Sequence, residues 1–144
     1  MKIIQGEVLT TGGAGSILNE LKLVKDERDK ILDGTYSDKI IAGRQRKHIQ
    51  GTKEFEQKKQ SMQKTSPHSE PSILTVDAEE LVKKYKGTGT IRIVGSSPYP
   101  QETIDTGMVV GRTWVKSLNK YVDTKRIRII YSSIGVHVIP INDF

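Results

Sequence analysis

No cysteine occurs among the 144 residues. That absence excludes thiol nucleophiles, zinc–thiolate centres and disulfide framing, and it leaves the redox compartment open. Histidine is scarce too: the three present lie far apart, with no His-x-x-x-His or paired-carboxylate spacing, so a divalent-metal site has little support. No apolar run approaches the ~20 residues of a membrane-spanning helix, and Met1-Lys2 is not followed by a signal-peptide core, so a soluble chain without a membrane anchor is expected. Acidic residues are outnumbered 17 to 23 by lysine and arginine, which gives a formal charge of +6 and a pI near 9.5. Such a surplus favours a polyanionic partner, although proteins that bind no nucleic acid carry it as well. The length suits one domain able to bury a core without metal or disulfides.

What is present is organised around the fifteen positions from Arg126 to Pro140. There β-branched residues alternate with polar ones on both sides of Ser133-Ile134-Gly135, the pattern of a hairpin. A two-residue loop at Ser133-Ile134 sets Ile130 opposite His137. Arg126, Arg128, Ile130, Ser132, His137 and Ile139 then share one face, and Ile127, Ile129, Tyr131, Val136, Val138 and Pro140 share the other. A three-residue loop would instead pair Tyr131 with His137 and mix the faces. The first register is preferred because a slip of one residue drives charge into the core.

Earlier in the chain, Lys2 to Val8 reads as a short strand and Thr10 to Gly15 as a flexible linker; the latter lacks the Lys-Ser/Thr ending of a phosphate loop. Ser16 is a plausible N-cap for a helix with a narrow apolar stripe of Ile17, Leu18, Leu21, Val24, Ile31 and Leu32, ended by Asp33-Gly34. Such a stripe suits packing on another chain or on a preceding region. The densest cationic segment follows, Arg44 to Lys53, with His48 inside it. Glu54 to Lys64 is expected to be a short surface helix or partly disordered, and Thr65 to Ser72 a turn-rich connector with an exposed, uninvolved His68. Asp77 with Glu80 makes a capping box for a helix that buries Leu81, Val82 and Tyr85 and stops at Gly87. Thr90 to Val94 is a strand, Gly95 to Pro100 a break, and Met108 to Val115 with Tyr121 to Tyr131 a hairpin around Ser117 to Lys120. Together these elements predict an α+β fold, with N-terminal helices packed on an antiparallel sheet of about four strands.

Three blocks resemble the polymorphic toxin type 50 domain family: Lys47-His48-Ile49-x-Gly51-Thr52; Ile104-Asp105-Thr106-Gly107; and Ile130-Tyr131-Ser132 with Gly135-Val136-His137-Val138-Ile139-Pro140. The resemblance covers about residues 44 to 142. It implies a predicted ribonuclease of the fold group that includes barnase and RelE, found at the carboxyl ends of toxins and of phage minor head proteins. It further implies that Lys47, His48, Thr52, Asp105, Tyr131, Ser132 and His137 occupy motif positions. Met108 stands where many relatives carry a basic residue and Ser133-Ile134 replaces a Lys-containing turn, so one phosphate contact is either lost or supplied by Arg112 or Lys125. Residues 1–43 fall outside the match and read as an arm or the remnant of a preceding region, with 44–144 the toxin domain.

Metal-independent RNA cleavage needs a base, an acid and cations at the phosphate. His48 and His137, taken as near-neutral in pKa, are the expected proton-transfer pair; Lys47, Arg126 and Arg128 would stabilise the phosphorane, while Tyr131 or Ser132 orients a phosphate oxygen. Arg46, Thr52 and Lys53 complete the expected RNA contacts. The plainer readings are that Tyr131 is core, that Arg126 and Arg128 are solvent-facing strand charges, that Asp105 caps a turn and that Trp114 packs. No cofactor is expected. An acidic immunity protein and action in the cytoplasm of a bacterial target cell, after secretion or carriage by a phage particle, follow from the toxin reading. The rivals are a non-catalytic nucleic-acid-binding module and a structural segment of a phage head.

Overall fold

The computed structural model describes residues 2–4 and 14–143, with side chains from Leu18 onward. The chain runs through β1 (Lys2–Ile4), α1 (Ala14–Leu32), the short α2 (Ala42–Gln45), a 3₁₀ turn (Arg46–His48), α3 (Lys53–Thr65), β2 (Ile73–Leu74) and α4 (Ala78–Tyr85). Strands then dominate: β3 (Thr90–Ile93), β4 (Pro100–Asp105), β5 (Gly111–Val115), β6 (Lys120–Thr124), β7 (Arg126–Tyr131) and β8 (Val136–Ile141). This is the expected α+β class, helices first and antiparallel pairing afterwards. The strands divide between two sheets, however, ordered β1-β3-β4-β7-β8 and β2-β5-β6.

Three expectations change in detail. Residues 121–131 alternate as if one strand, yet the chain leaves the smaller sheet at Lys125 and enters the larger. The Thr124 hydroxyl reaches the Ile141 carbonyl, and the Lys125 amide donates to Asp143 Oδ1 at 3.1 Å, which holds the corner. Strand β4 lies where no strand was expected, because its inward positions are Pro100, Glu102 and Ile104, a set without apolar alternation. Helix α1 starts at Ala14, two residues before Ser16. Residues 5–8 of the expected first strand and Thr10–Gly13 of the glycine-rich stretch lie outside the described residues.

The final hairpin takes the two-residue-loop register, with Ile130 opposite His137 and Tyr131 opposite Val136. Ile127, Ile129, Tyr131, Val136 and Val138 therefore enter one core with Leu81, Val82, Ile91 and Ile104. Each fully buried aliphatic side chain there contributes about 1.5–3 kcal/mol relative to exposure. Helix α1 joins the same core through Val24 and Ile31, whereas Leu18 and Leu32 stay exposed. Its stripe thus packs within the chain. Buried Glu27 on that helix accepts the Tyr36 hydroxyl, and Arg28 reaches the Gly87 carbonyl and, at 3.0 Å, that of Gly89.

The same turn is clamped from the sheet side. Glu102, with no exposed surface, accepts from the amides of Gly87 (3.0 Å) and Gly89 (2.7 Å) and from the Tyr131 hydroxyl (2.8 Å). A carboxylate with three donors tolerates complete burial that an unpaired one would not.

The free edge of β8 is occupied. Ile41 N donates to Val136 O and Val136 N to Lys39 O, both at 2.8 Å, an approach that Gly135 permits because any Cβ there would sit 2.2 Å from the Lys39 carbonyl oxygen. Two residues on, the Gln45 amide spans Val138: Nε2 donates to its carbonyl at 2.9 Å and Oε1 accepts from its amide at 2.7 Å. The ladder ends in a side chain rather than in water.

Candidate active site

The segment that closes the edge of β8 also carries the first histidine. Gln45 and His48 are three residues apart on consecutive helical turns, so they project to one side, and the clamp on Val138 brings His48 beside His137. The turn itself is built by its motif. Gly51 has φ +91°, open to glycine at little cost, and Thr52 Oγ1 lies 2.6 Å from the Arg46 carbonyl and 2.9 Å from that of Ile49 while accepting the Phe55 amide at 3.1 Å. That cap starts α3 as a full helix of 13 residues anchored by buried Phe55, more ordered than its charged sequence suggested.

The two imidazoles lie nearly parallel, 14° between planes and 6.4 Å between centroids. That is close enough for a single phosphodiester to contact both at hydrogen-bond distance. His48 is buried, and its Nδ1 is 3.2 Å from the Ser72 carbonyl and 3.0 Å from the Ser72 hydroxyl. A carbonyl only accepts, so this contact puts the proton on Nδ1 and leaves Nε2 with a lone pair. His137 is half-buried; its Nδ1 is enclosed without a hydrogen-bond partner among the described residues, which leaves Nε2 for an incoming group.

Neither imidazole keeps the near-neutral pKa expected of it. Burial pushes His48 down to about 4, opposed by the Ser72 carbonyl and assisted by Lys58 and Lys47. Burial also pushes His137 down to about 4, with His48, Arg44, Lys47 and Lys58 adding to the effect. Both rings are neutral at pH 7, inside a ring of cations that a bound anion would neutralise.

Lys47 thus acts on both rings from an exposed position, whereas other expected residues fall elsewhere. Tyr131 is not brought to the pair. It points into the core on the opposite face of β7, and burial together with Glu102 drives its hydroxyl pKa upward. Ser132 shares the His137 face but spends its hydroxyl on the turn, donating to the Gly135 carbonyl at 2.8 Å and accepting from the Ile134 amide. Thr52 is occupied as a cap, and Arg46 pairs with Glu54 at 2.7 Å. Lys53 is exposed at the start of α3. Arg112 lies on β5 opposite Ile73, next in sequence to Ser72, while Lys125 sits at the corner by Asp143, at the far end of β8 from His137. Asp105 caps its turn, accepting the Gly107 amide at 2.9 Å, and Trp114 packs edge-on against Tyr121. His68 is exposed, as expected.

Ser72, Arg44 and Lys58 carry no motif and were not singled out from the sequence. The connector that delivers Ser72 is tied down by the Tyr121 hydroxyl on the Pro71 carbonyl (2.9 Å), the Trp114 indole on the His68 carbonyl and Gln63 on the Ser69 carbonyl (3.1 Å). A cleft of about 480 Å³ elsewhere, lined by Asp38, Lys39, Ile40, Glu79, Val82 and Lys83, mixes both signs of charge and holds neither histidine. Among the described residues no three His, Cys, Asp or Glu side chains converge as a metal site, and no helix is long and apolar enough to cross a membrane.

The imidazole on β8 and the one on the turn beside it thus meet within a rim of Arg44, Lys47 and Lys58, surroundings that favour an anion. The sequence model of the family described as Bacterial toxin 50 matches residues 40–140, most of the chain, and the chain belongs to that family of toxins. No curated protein and no solved structure matches it.

Proposed function

We propose that this toxin is an endoribonuclease that cleaves RNA without a metal ion, through attack of a 2′-hydroxyl on the adjacent phosphorus. The single observation that carries the reading is the pairing of His48 and His137, 6.4 Å apart, on a framework held by Gln45 and Ser72. His48, with its proton on Nδ1, is the base: Nε2 takes the 2′-hydroxyl proton as O2′ bonds to phosphorus. His137 is the acid, giving a proton to O5′ as the phosphorus–O5′ bond breaks, so the products end in a 2′,3′-cyclic phosphate and a 5′-hydroxyl. Lys47, Arg44 and Lys58 neutralise the charge that builds on the phosphate oxygens. The same phosphate, once bound, raises both imidazole pKa values and makes a protonated His137 accessible.

The toxin unit in this reading is 44–144, with 1–43 an arm whose helix α1 is packed into the unit's core. A domain delivered into a bacterial cytoplasm endangers its producer, so an acidic inhibitor covering the basic face is part of the proposal. The decisive experiment is cleavage of total RNA in EDTA by the intact chain and by His48→Ala and His137→Ala, with end-group analysis. Cyclic-phosphate ends lost by about 10²–10⁴-fold in each variant are expected. Salt-sensitive RNA binding without cleavage would establish the non-catalytic binding module instead.

A further inference from the structure

We propose that Arg126 and Arg128 form a second phosphate subsite beside the imidazole pair, so that the preferred substrate is an RNA carrying a phosphodiester next to the scissile one. This inference rests on the ribonuclease reading and names its substrate class more narrowly.

The register places the subsite. Ile130 faces His137 and Arg128 faces Ile139, so Arg128 and His137 are diagonal neighbours on one face, with Cβ atoms about 7–8 Å apart. Arg126 lies one pleat further along the same face, opposite Ile141. Across β4, Gln101 and Thr103 project to that face as well, Thr103 directly opposite Arg128. The surface from His137 to Arg126 therefore carries Arg126 and Arg128 on β7 and Gln101 and Thr103 on β4, set among Ile130, Ile139 and Ile141.

Arg128 is an arginine with nothing to hold. Its side chain is half-buried, it makes no hydrogen bond or ion pair among the described residues, and its Nε is fully enclosed without a partner. Burial lowers its pKa, and the like charges of Arg92 and Arg126 add to the effect. Like charges gathered around a desolvated guanidinium are unfavourable in the empty protein and become favourable when an anion arrives. Arg126 is fixed for that purpose by its Nη1 bond to the Asn142 carbonyl at 3.2 Å. The carboxylate facing it across the ladder, Asp105, is engaged with the Gly107 amide. The two arginines line, with Ile141 and Asn142, an open cleft of about 390 Å³, large enough for a phosphate group. Guanidinium forks match phosphate oxygens in a bidentate geometry that lysine does not reproduce.

The test compares a dinucleoside monophosphate with trinucleotides extended by one phosphodiester on the 5′ or the 3′ side. One extended substrate is expected to show kcat/KM at least about tenfold higher, the lower end of what a hydrogen bond to a charged group contributes. In Arg128→Gln and in Arg126→Gln that gain falls below about twofold. Equal kcat/KM for all substrates in the unmutated protein, or a gain that survives in both variants, overturns the subsite. If no substrate is cut, the ribonuclease reading fails by itself. The subsite is then judged by titrating inorganic phosphate against the Arg128 Nε–H resonance: a saturable shift supports it and an unmoved resonance overturns it.

Discussion

Lowering the pH from 7 toward 4 is the perturbation that most directly interrogates the imidazole pair. Both rings have pKa values near 4 in the free protein, so at pH 7 only about one molecule in a thousand carries a proton on a given ring. If His137 must be protonated and His48 neutral, kcat/KM rises about tenfold per unit as the pH falls from 7 to 5 and flattens near 4. The kcat profile, which reports the substrate complex, lies at higher pH because bound phosphate offsets the surrounding cations. Stability follows the same titration with a definite sign. A histidine whose folded pKa is depressed contributes stability that is fully present above the unfolded value of 6.5 and is lost as the pH falls toward 4. For buried His48 the difference of roughly 2.5 units amounts to about 3 kcal/mol by pH 4. Urea unfolding of the intact chain and of His48→Gln at pH 7 and pH 4 isolates that contribution from the carboxylates, and NMR of the imidazole resonances reads the midpoints. Midpoints near 6.5, or a kcat/KM unchanged between pH 7 and 5, would refute the reasoning.

Other expectations concern the framework. Glu102→Ala strands the amides of Gly87 and Gly89 and the Tyr131 hydroxyl, and should cost about 3 kcal/mol or more, read as a lower urea midpoint with cleavage measured on the fraction that remains folded. Gln45→Ala frees both polar groups of Val138 and loosens the turn bearing His48; a loss of about 1–3 kcal/mol is expected together with reduced kcat, and a variant with unaltered kcat would separate the clamp from the site. Gly135→Ala pushes a Cβ against the Lys39 carbonyl at a positive φ, so faster hydrogen exchange at the Ile41 and Val136 amides is the anticipated signature. Ser72→Ala keeps the carbonyl contact to His48 and removes only the hydroxyl, which should change kcat/KM a few-fold and leave the histidine variants far more damaging.

The hairpin register was readable because its two faces differ in chemistry, apolar against charged, and a slip would have been costly. The helix start at Asp77 was equally local, set by a side chain accepting an amide two residues on, whereas Thr52, expected at RNA, proved to be a cap of the same kind. Strand β4 was hidden because Glu102 faces inward, and nothing near it in sequence announces the distant amides and phenol that satisfy it. The switch between sheets at Lys125 was hidden for a related reason: its cause is Ile141 and Asp143, far along the chain. At the site, motif residues revealed His48 and His137 but not their environment. Desolvation, the Ser72 carbonyl and the cations from Arg44 and Lys58 come from separate elements, so the depressed pKa values had no signature in any single stretch.

The Gln45 clamp on Val138 carries a consequence for how other proteins can meet this toxin. A strand at the border of a sheet ordinarily invites a foreign strand to dock, whether from an inhibitor or from a misfolded copy. Here the amide and carbonyl of Val138 are already answered by Gln45, and those of Val136 by Lys39 and Ile41. An inhibitor that extended the sheet would first have to pull away the segment carrying His48. Neutralisation by strand addition at β8 would therefore dismantle the imidazole pair, whereas a partner that leaves β8 closed would leave the pair in place.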